Sequence, residues 1–490
     1  MRVNYQMNVT PRLVILSEDQ IEQIIYEAMG VLQQTGTRVF EENALDLLRG
    51  AGCVIEDQNL VHIPVWLIES CIQSTPSRVV LGGRDREKRI ALEKNRIYFG
   101  TGSDCPFITD PYTSERRGYT KEDIYRAAKI TDALPQIDFH MSLGLTSDVP
   151  VGTYDRHQLL AMLRGTTKPL VITAVDKKGL ADQLEMACAV IGGIDEWRKL
   201  PLFAVYVEPT SPLDNSREAV EKLIFAAEKD IPVIYTPCPI CGATGPATMA
   251  GTLVQGLAEC LVGVVISQLK RKGAAVIIGG VMSVLDMTTA VLSYGAPELV
   301  LLSAAMTNIA QYLGLPMFST AGCSDSKTLD QQAAVESALS IAFAALSGAN
   351  LIHDVGYLES GLNGSFDMLV MSNEIISSVK RILRGVPVDA GHLALEAIRR
   401  VGPGGHYLMD EHTMKHFRNE FWVPELFDRS NWETWQSNGG KALQARVHER
   451  VLDLIEHYDP PEMPEKTVQE LEIIVSRADE VHSVEETRRT

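Results

Sequence analysis

The 490-residue sequence contains no continuous apolar run of the roughly 20 residues that a membrane-spanning helix requires. Its most apolar stretches, residues 273–281 and 338–349, are much shorter. The N-terminus lacks the order of charged, apolar and small residues that marks a signal peptide, because residues 1–10 are polar and the short apolar run after them ends at Ser17. These absences predict a cytoplasmic protein.

Basic residues are also few: 45 Lys and Arg stand against 63 Asp and Glu, a formal net charge of −18. No run of six like charges and no basic amphipathic segment occurs. Binding to nucleic acid or to an anionic membrane needs a basic face, so neither partner is expected. The eight cysteines follow no regular spacing, which indicates reduced thiols rather than a disulfide framework.

What is present is a large apolar fraction, 45% of residues, which is enough for a sizeable core. Residues 1–96 form a first unit, a helical and hairpin extension. Ser17 precedes apolar residues at helical spacing and is expected to cap a helix. Further short helices are predicted at residues 41–48 and 64–73, with a hairpin at 54–63 between them.

From residue 97 the pattern changes to eight short apolar runs that alternate with eight helical stretches. The runs are predicted strands at residues 97–100, 137–145, 170–175, 202–207, 232–236, 274–279, 317–321 and 351–354. Alternation of this kind predicts an α/β protein, a (β/α)8 TIM barrel over residues 97–385. An open doubly wound sheet is the alternative, and the barrel is favoured because eight strands is the number that closes it. Residues 386–490 are predicted to be a helical C-terminal extension.

Candidate chemistry is expected at the carboxyl ends of the barrel strands. Several ionisable side chains follow the predicted strands: Asp104, Glu208, Cys323, Asp325, Lys327, His353, Asp354 and Glu359. Carboxylates in a concave pocket suit a cationic ligand, and the nearby aromatic residues could add cation–π contacts. The alternative for each residue is structural, with aromatics filling the barrel and carboxylates capping helices.

Other motifs carry less weight. Cys238 and Cys241 have C-x-x-C spacing, but no second pair or neighbouring histidine completes a zinc site. Gly100 and Gly102 follow a strand, yet the third glycine of a dinucleotide fingerprint is absent. His412 and His416 share a helix face without the zincin order, so no metal site is predicted.

The strand-end segments together resemble the trimethylamine:corrinoid methyltransferase superfamily over nearly the whole chain. The similar segments are residues 76–85, 98–102, 209–213, 250–254, 295–298, 321–327, 330–333 and 347–350. The most specific of them is AGCSDSK at residues 321–327. The resemblance implies a barrel that moves a methyl group from an amine to the Co(I) corrinoid (cobalamin) of a separate, cognate corrinoid protein. No cofactor is then expected to be tightly bound to the chain itself, which is expected to form a homo-oligomer.

Trimethylamine enzymes of this family carry a pyrrolysine near the seventh strand, whereas residues 323–336 here are all ordinary. The chain therefore resembles the non-pyrrolysine branch, whose donors are quaternary amines such as glycine betaine, proline betaine or carnitine. A quaternary nitrogen leaves as a neutral tertiary amine, so the site needs mainly to position a cation. A betaine carboxylate would need a basic partner, for which the candidates are His353, His140, Arg156, His157 and Lys327.

Strand-end position and resemblance together predict the roles of individual residues. Catalytic roles are predicted for His353, Glu208 and Asp325. Substrate-binding roles are predicted for Tyr98, Phe99, Tyr206, Tyr235, His140, His353, Glu359 and Cys323. Contacts to the corrinoid are predicted for Gly100, Gly102, Gly322 and Lys327. Two alternatives remain open: a barrel methyltransferase that uses a methylated pterin, and a non-catalytic barrel that only binds a betaine.

Overall fold

The fold is known from a computed structural model, which describes residues 9–489. Residues 1–8 lie outside the described residues, and they include most of the polar segment on which the prediction about a signal peptide was based. The N-terminal extension follows its prediction closely: Ser17 and Gln20 form a capping box at the first helix, and the predicted hairpin pairs Val54 with His62. Its elements are α1 Glu18–Gln34, β1 Thr37–Val39, α2 Glu42–Gly50, β2 Val54–Glu56, β3 Leu60–His62, α3 Val65–Ser74, β4 Val79–Gly82 and β5 Arg89–Leu92.

The middle of the chain contains the strands and helices of the predicted barrel, with short additional strands between them. Its elements are β6 Tyr98–Phe99, β7 Phe107–Thr109, β8 Arg116–Gly118, α4 Lys121–Ala133, α5 Tyr154–Gly165, β9 Leu170–Ile172, α6 Lys177–Ile191, α7 Ile194–Lys199, β10 Phe203–Val207, β11 Asp214–Asn215, α8 Arg217–Glu228, β12 Val233–Tyr235, β13 Ile240–Cys241, α9 Met249–Lys270, β14 Val276–Gly279, β15 Ser283–Asp286, β16 Val291–Ser293, α10 Pro297–Leu313, β17 Met317–Thr320, α11 Gln331–Ser347, β18 Leu351–His353, β19 Tyr357–Leu358, a 3-10 turn at Glu359–Gly361, β20 Asn363–Gly364 and α12 Phe366–Leu383.

Seven of these strands form one parallel sheet in the order β6-β18-β17-β14-β12-β10-β9. The open side of this sheet is closed by the segment predicted as the second strand. There Phe139 bridges Gly100 of the first strand and His140 bridges Leu170 of the third, both in parallel. The predicted (β/α)8 barrel is confirmed, although its second strand is reduced to these two bridges.

The amino-terminal end of the barrel is closed by the β4–β5 hairpin. Val79, Leu81, Ile90 and Leu92 of the hairpin are buried in one cluster with the side chains that fill the barrel. The barrel side chains in this cluster are Phe139, Met141, Val171, Ala204, Ile234, Ile277, Phe318 and Leu351. The other end, where the strands reach their carboxyl termini, is the barrel mouth.

Two small sheets follow the strand ends at the mouth and were not predicted. One pairs β13, β15 and β16, and the other pairs β19, β20, β7 and β8. Both are built from segments that come directly after barrel strands, so they place additional loop residues around the opening.

Helix α9 is the one element among residues 9–489 that is long and apolar enough to cross a membrane, a property the sequence analysis did not detect. Most of its apolar window, 72%, is buried inside the protein, where α9 contacts α1, α3 and α8. Burial of this kind is typical of a core helix. The C-terminal region is helical as predicted, with α13 Leu395–Val401, α14 Glu411–Glu420, α15 Trp432–Ser437, α16 Leu443–His457 and α17 Glu465–Arg489.

Candidate active site

The barrel mouth brings together side chains from the ends of several strands. Because side chains alternate along a strand, Tyr206 of β10 and Glu208, which directly follows β10, share the inner face with Ala204. Tyr206 packs against Phe318 of β17 with ring centroids 5.6 Å apart, and Phe318 packs against His353 of β18 at 4.0 Å. These rings form the floor of the mouth.

Glu208 is the exposed carboxylate on this floor. Its side chain reaches the solvent-accessible space of the mouth, yet surrounding protein desolvates it and raises its pKa. The Tyr206 hydroxyl donates a hydrogen bond of 2.8 Å to Glu208 Oε2 and partly opposes that increase. Asp104 and Glu259 act in the other direction, since each adds a like charge that raises the pKa further.

His353 and Asp354 form a second polar pair at the end of β18. The His353 Nδ1 atom lies 2.9 Å from the Ser319 carbonyl oxygen, to which it donates, so Nε2 is an acceptor facing Asp354 Oδ1 at 3.3 Å. Burial lowers the pKa of His353 to about 3 and raises that of Asp354 well above its usual range. His353 is therefore a neutral imidazole. Asp354 Oδ2 is buried and has no hydrogen-bond partner.

Tyrosines from two loops complete the wall of the mouth. Tyr294, after β16, and Tyr357, in β19, pack edge to face with centroids 6.3 Å apart. The Tyr357 hydroxyl donates to the Ser103 carbonyl oxygen, and the Cys323 thiol lies 3.9 Å from the Tyr294 carbonyl oxygen. Burial and the Asp354 charge raise the pKa of Cys323, which keeps it a neutral thiol.

Asp325 lies behind this wall, and both of its carboxylate oxygens accept hydrogen bonds. Its Oδ1 accepts from the Tyr294 backbone N–H at 2.7 Å and from the Ser360 hydroxyl at 2.8 Å, while Oδ2 accepts from the Ser293 hydroxyl. The geometry suits a residue that positions Tyr294.

Glu359 and Lys327 are the predicted residues that lie at the edge of the opening. Glu359 forms a paired contact with Arg116, at 2.8 and 3.2 Å, which ties the 3-10 turn to β8. Lys327 is exposed, and its Nζ donates to the Asp325 carbonyl oxygen at 2.8 Å. Both belong to the rim of the mouth.

Four predicted substrate-binding residues lie away from the mouth. Tyr98 lies at the closed end of the barrel, where its hydroxyl accepts from Ala91 N–H at 3.2 Å. Three others are fully buried in the layer between the strands and the helices: Phe99, Tyr235 and His140. The Tyr235 hydroxyl donates to Asn215 at 2.6 Å, and His140 contacts the hydroxyls of Thr101 and Thr131.

Close packing or backbone conformation explains why each of the three glycines predicted to contact the corrinoid is a glycine. A Cβ atom at Gly100 would lie 2.4 Å from the Phe139 ring, and one at Gly102 would lie 2.2 Å from the Tyr357 ring. Gly322 has φ of 75°, a conformation that favours glycine. Their predicted contacts with the corrinoid stay predictions.

Tyr294 and Tyr357 are the mouth residues that sequence reasoning missed. Asp104 and Asp354 were among the strand-end residues but received no role. Tyr294 directly precedes the family-like segment 295–298, and Tyr357 lies within the loop after the eighth strand. Their proximity to those segments was the available signal.

The described residues contain no group of three or more His, Cys, Asp or Glu side chains that could hold a metal ion. His412 and His416 stack on each other with centroids 4.3 Å apart on α14. All eight cysteines are free, including Cys238 and Cys241. The mouth is therefore a site of carboxylates, tyrosines and a neutral histidine.

A closed (β/α)8 barrel with polar groups gathered at the carboxyl ends of its strands is the architecture of a barrel enzyme. Among solved structures, a hydroxylamine complex of MtmB shares this fold, with a TM-score of 0.53 and 12% identity over 90% of this chain and 88% of that one.

The trimethylamine methyltransferase (MTTB) family model matches residues 1–482, so the chain belongs to that family and is a methyltransferase. A trimethylamine methyltransferase MttB of Desulfitobacterium hafniense is 34% identical, covering 96% of this chain and 94% of that protein. A glycine betaine methyltransferase of the same species is 31% identical, covering 96% of this chain and 98% of that protein. The resemblance stated from sequence is confirmed.

Proposed function

We propose that this protein transfers a methyl group from a quaternary amine to the Co(I) corrinoid of a separate partner protein. The observation that carries the proposal is the joint presence of Glu208, Asp354 and several aromatic rings at the mouth of a barrel of this family. The glycine betaine methyltransferase among the relatives supports a quaternary donor.

The residues present suit a reaction that needs positioning rather than acid–base chemistry. When the donor's C–N bond breaks, its electron pair stays on nitrogen, and the amine leaves neutral without needing a proton. Carboxylates and tyrosine faces would hold the cationic nitrogen while one methyl group points out of the mouth. His353, being neutral, would orient Asp354 rather than act as a charged catalyst.

The corrinoid supplies the nucleophile that accepts the methyl group, and it would arrive on the partner. The rim residues Lys327 and Glu359 border the only described face through which it could approach, because the β4–β5 hairpin fills the opposite end of the barrel. Asp325, which binds the Tyr294 backbone, would act as a positioning residue.

An anaerobic spectrophotometric assay tests the function. The protein is mixed with Co(I) cobalamin, then with a candidate corrinoid protein, and a panel of methylated amines is added. Loss of the Co(I) absorption with a quaternary amine, and not with trimethylamine, is the expected result. Amine binding without loss of that absorption, even with the partner present, would contradict the proposal and favour a non-catalytic binding barrel.

A further inference from the structure

The charged groups that act on Glu208 and Asp354 have one sign. The charged groups that act most strongly on Glu208 are Asp104 and Glu259, and the one that acts on Asp354 is Glu208. No basic side chain is among these groups. An anion entering this space would therefore meet carboxylates on several sides.

Two of the three candidate histidines carry no charge. His353 is at the mouth, but burial lowers its pKa to about 3. His140 has a pKa lowered to about 3 and faces the helix layer rather than the mouth. Neither can form an ion pair with an anionic ligand near neutral pH.

The remaining three basic candidates are engaged elsewhere. Arg156 is buried and forms an ion pair with Asp182 at 3.1 Å. His157 contacts Asp479 of the last helix at 3.1 Å. Lys327 is exposed on the rim and bonds a backbone carbonyl. None of these five candidates therefore offers a free cation inside the mouth for a carboxylate. The buried Lys222, which acts on Asp104, donates to the Ala174 carbonyl oxygen at 2.8 Å.

Two of the tyrosine hydroxyls at the mouth are also in use. The Tyr206 hydroxyl donates to Glu208, and the Tyr357 hydroxyl donates to the Ser103 carbonyl oxygen. Asp354 Oδ2 lies on a side chain that is only 2% exposed, and it has no hydrogen-bond partner. A cation nearby would favour the ionised form of this carboxyl through its charge, whereas an anion would oppose it.

From this arrangement we infer that the methyl donor is a quaternary ammonium cation without a carboxylate, the chemical class of choline and tetramethylammonium. The inference rests on the proposed function and narrows its substrate. In the reaction a C–N bond of the donor breaks, its electron pair remains on nitrogen, and the methyl carbon bonds to the acceptor's cobalt. The other product is a neutral tertiary amine, which the acidic mouth holds less strongly than the cation.

Equilibrium binding to the full chain tests the donor class. Isothermal titration at pH 8 compares choline, tetramethylammonium and glycine betaine. We expect choline to bind at least about tenfold more tightly than glycine betaine, because only the latter brings a carboxylate next to Glu208. Equal or tighter binding of glycine betaine overturns the inference.

The variant Glu208→Gln keeps the side-chain shape and removes the charge. It is expected to weaken choline binding by at least about tenfold and to leave glycine betaine binding unchanged or stronger. Glu69→Gln is the matched control, since Glu69 is exposed on α3 away from the mouth. An equal loss for both ligands in Glu208→Gln contradicts the inference. The wild-type comparison decides the question even if the variant does not fold.

Methyl transfer to a Co(I) corrinoid protein separates this inference from the proposed function. Transfer from choline or tetramethylammonium, and not from glycine betaine, supports both. Transfer from glycine betaine alone overturns the donor class and leaves the function standing. Transfer from none of the quaternary amines overturns the function, whereas the binding ratio still decides the ligand class.

Discussion

Glu208 and Tyr206 at the barrel mouth are joined by a single hydrogen bond of 2.8 Å. The hydroxyl lowers the pKa of the carboxyl, while burial and the neighbouring acids raise it. The result is a carboxyl that holds its proton more readily than a free one. A cation that enters the mouth favours the ionised form and displaces that proton.

Binding of the amine is therefore expected to depend on pH. The groups that face Glu208 are Tyr206, Cys238, Asp104, Glu259 and Asp354, and none of them supplies positive charge. Since the pKa values of Glu208 and Asp354 are raised, affinity for a quaternary amine should increase with pH, by up to about tenfold per pH unit for each proton released. Titration calorimetry between pH 5 and 8, with buffers of different ionisation enthalpy, measures both the affinity and the proton release.

The variant Tyr206→Phe checks the assignment of this pH dependence. Removing the hydroxyl keeps the ring that packs on Phe318 and removes the bond that lowers the pKa of Glu208. The midpoint of the pH profile should move upward, with little change in affinity at high pH. An unchanged midpoint would assign the titration to a different group.

Substitution of Gly102 would test how closely the side chains at the mouth are packed. An alanine Cβ there would lie 2.2 Å from the Tyr357 ring and 2.4 Å from Asp354 Oδ1. We expect Gly102→Ala to destabilise the fold by about 1–3 kcal/mol and to abolish amine binding, because the two side chains must move. Thermal unfolding and calorimetry measure both effects.

The matched control is Gly30→Ala on α1, where a Cβ meets nothing within 4 Å. This change should stabilise the protein by roughly 0.5–1 kcal/mol, because alanine favours a helix interior over glycine. Loss of amine binding in the control would show that the assay responds to any glycine substitution.

Which face a residue occupies could not be predicted on the barrel strands. In a parallel barrel both faces of a strand are apolar, so alternation leaves no visible pattern. Tyr206 faces the mouth, whereas Tyr235 and Phe99 face the helices, although all three were predicted to bind substrate. A strand polar on one face would have revealed its register.

At the level of elements, Asp325 joins two segments that are distant from each other in sequence. It accepts hydrogen bonds from the consecutive residues Ser293 and Tyr294 and from Ser360 in the 3-10 turn. Asp325→Asn replaces one acceptor oxygen by a donor that would face these donors. We expect a loss of about 1–3 kcal/mol in unfolding free energy and a higher KM, measured by denaturant titration and steady-state kinetics.

Lys327→Ala provides the comparison, because Lys327 is two residues away but exposed. Its effect on stability should stay within about 0.5 kcal/mol. If Asp325→Asn changed stability and left KM unchanged, Asp325 would have no part in positioning the site.

The short helices predicted at residues 41–48 and 64–73 lie within two residues of α2 and α3, because caps and helical periodicity are local. Thr120 and Asp123 form the capping box of α4, and Asp330 caps α11. The small sheets at the mouth could not be predicted in the same way. Strand β20, for example, pairs Asn363 with Phe107, more than 250 residues earlier in the chain. Such pairing depends on the closed barrel.

For the whole molecule, the C-terminal extension presents many exposed apolar side chains between α12 and α15. They include Val386, Leu393, Leu395, Leu408, Met409, Met414, Phe421, Val423 and Trp432. Clustered exposure of this kind is typical of an interaction surface. We expect the protein to form a homo-oligomer in solution, as light scattering coupled to gel filtration would measure.

Substitution with charge at this surface should dissociate the oligomer. Leu408→Glu combined with Met409→Glu is expected to yield smaller particles, while Tyr26→Glu, an exposed change on α1, leaves their size unaltered. A monomeric wild-type protein would contradict the expectation.

The β4–β5 hairpin has a kinetic consequence. Because its four apolar side chains close one end of the barrel, the mouth is the entrance that donor and partner would share. In the proposed reaction the donor would have to enter before a corrinoid protein covers the mouth, and the demethylated amine could leave only after that protein dissociates. Turnover should therefore follow a compulsory order of binding. A large excess of the corrinoid protein should slow the enzyme, because the bound partner would block entry of the donor.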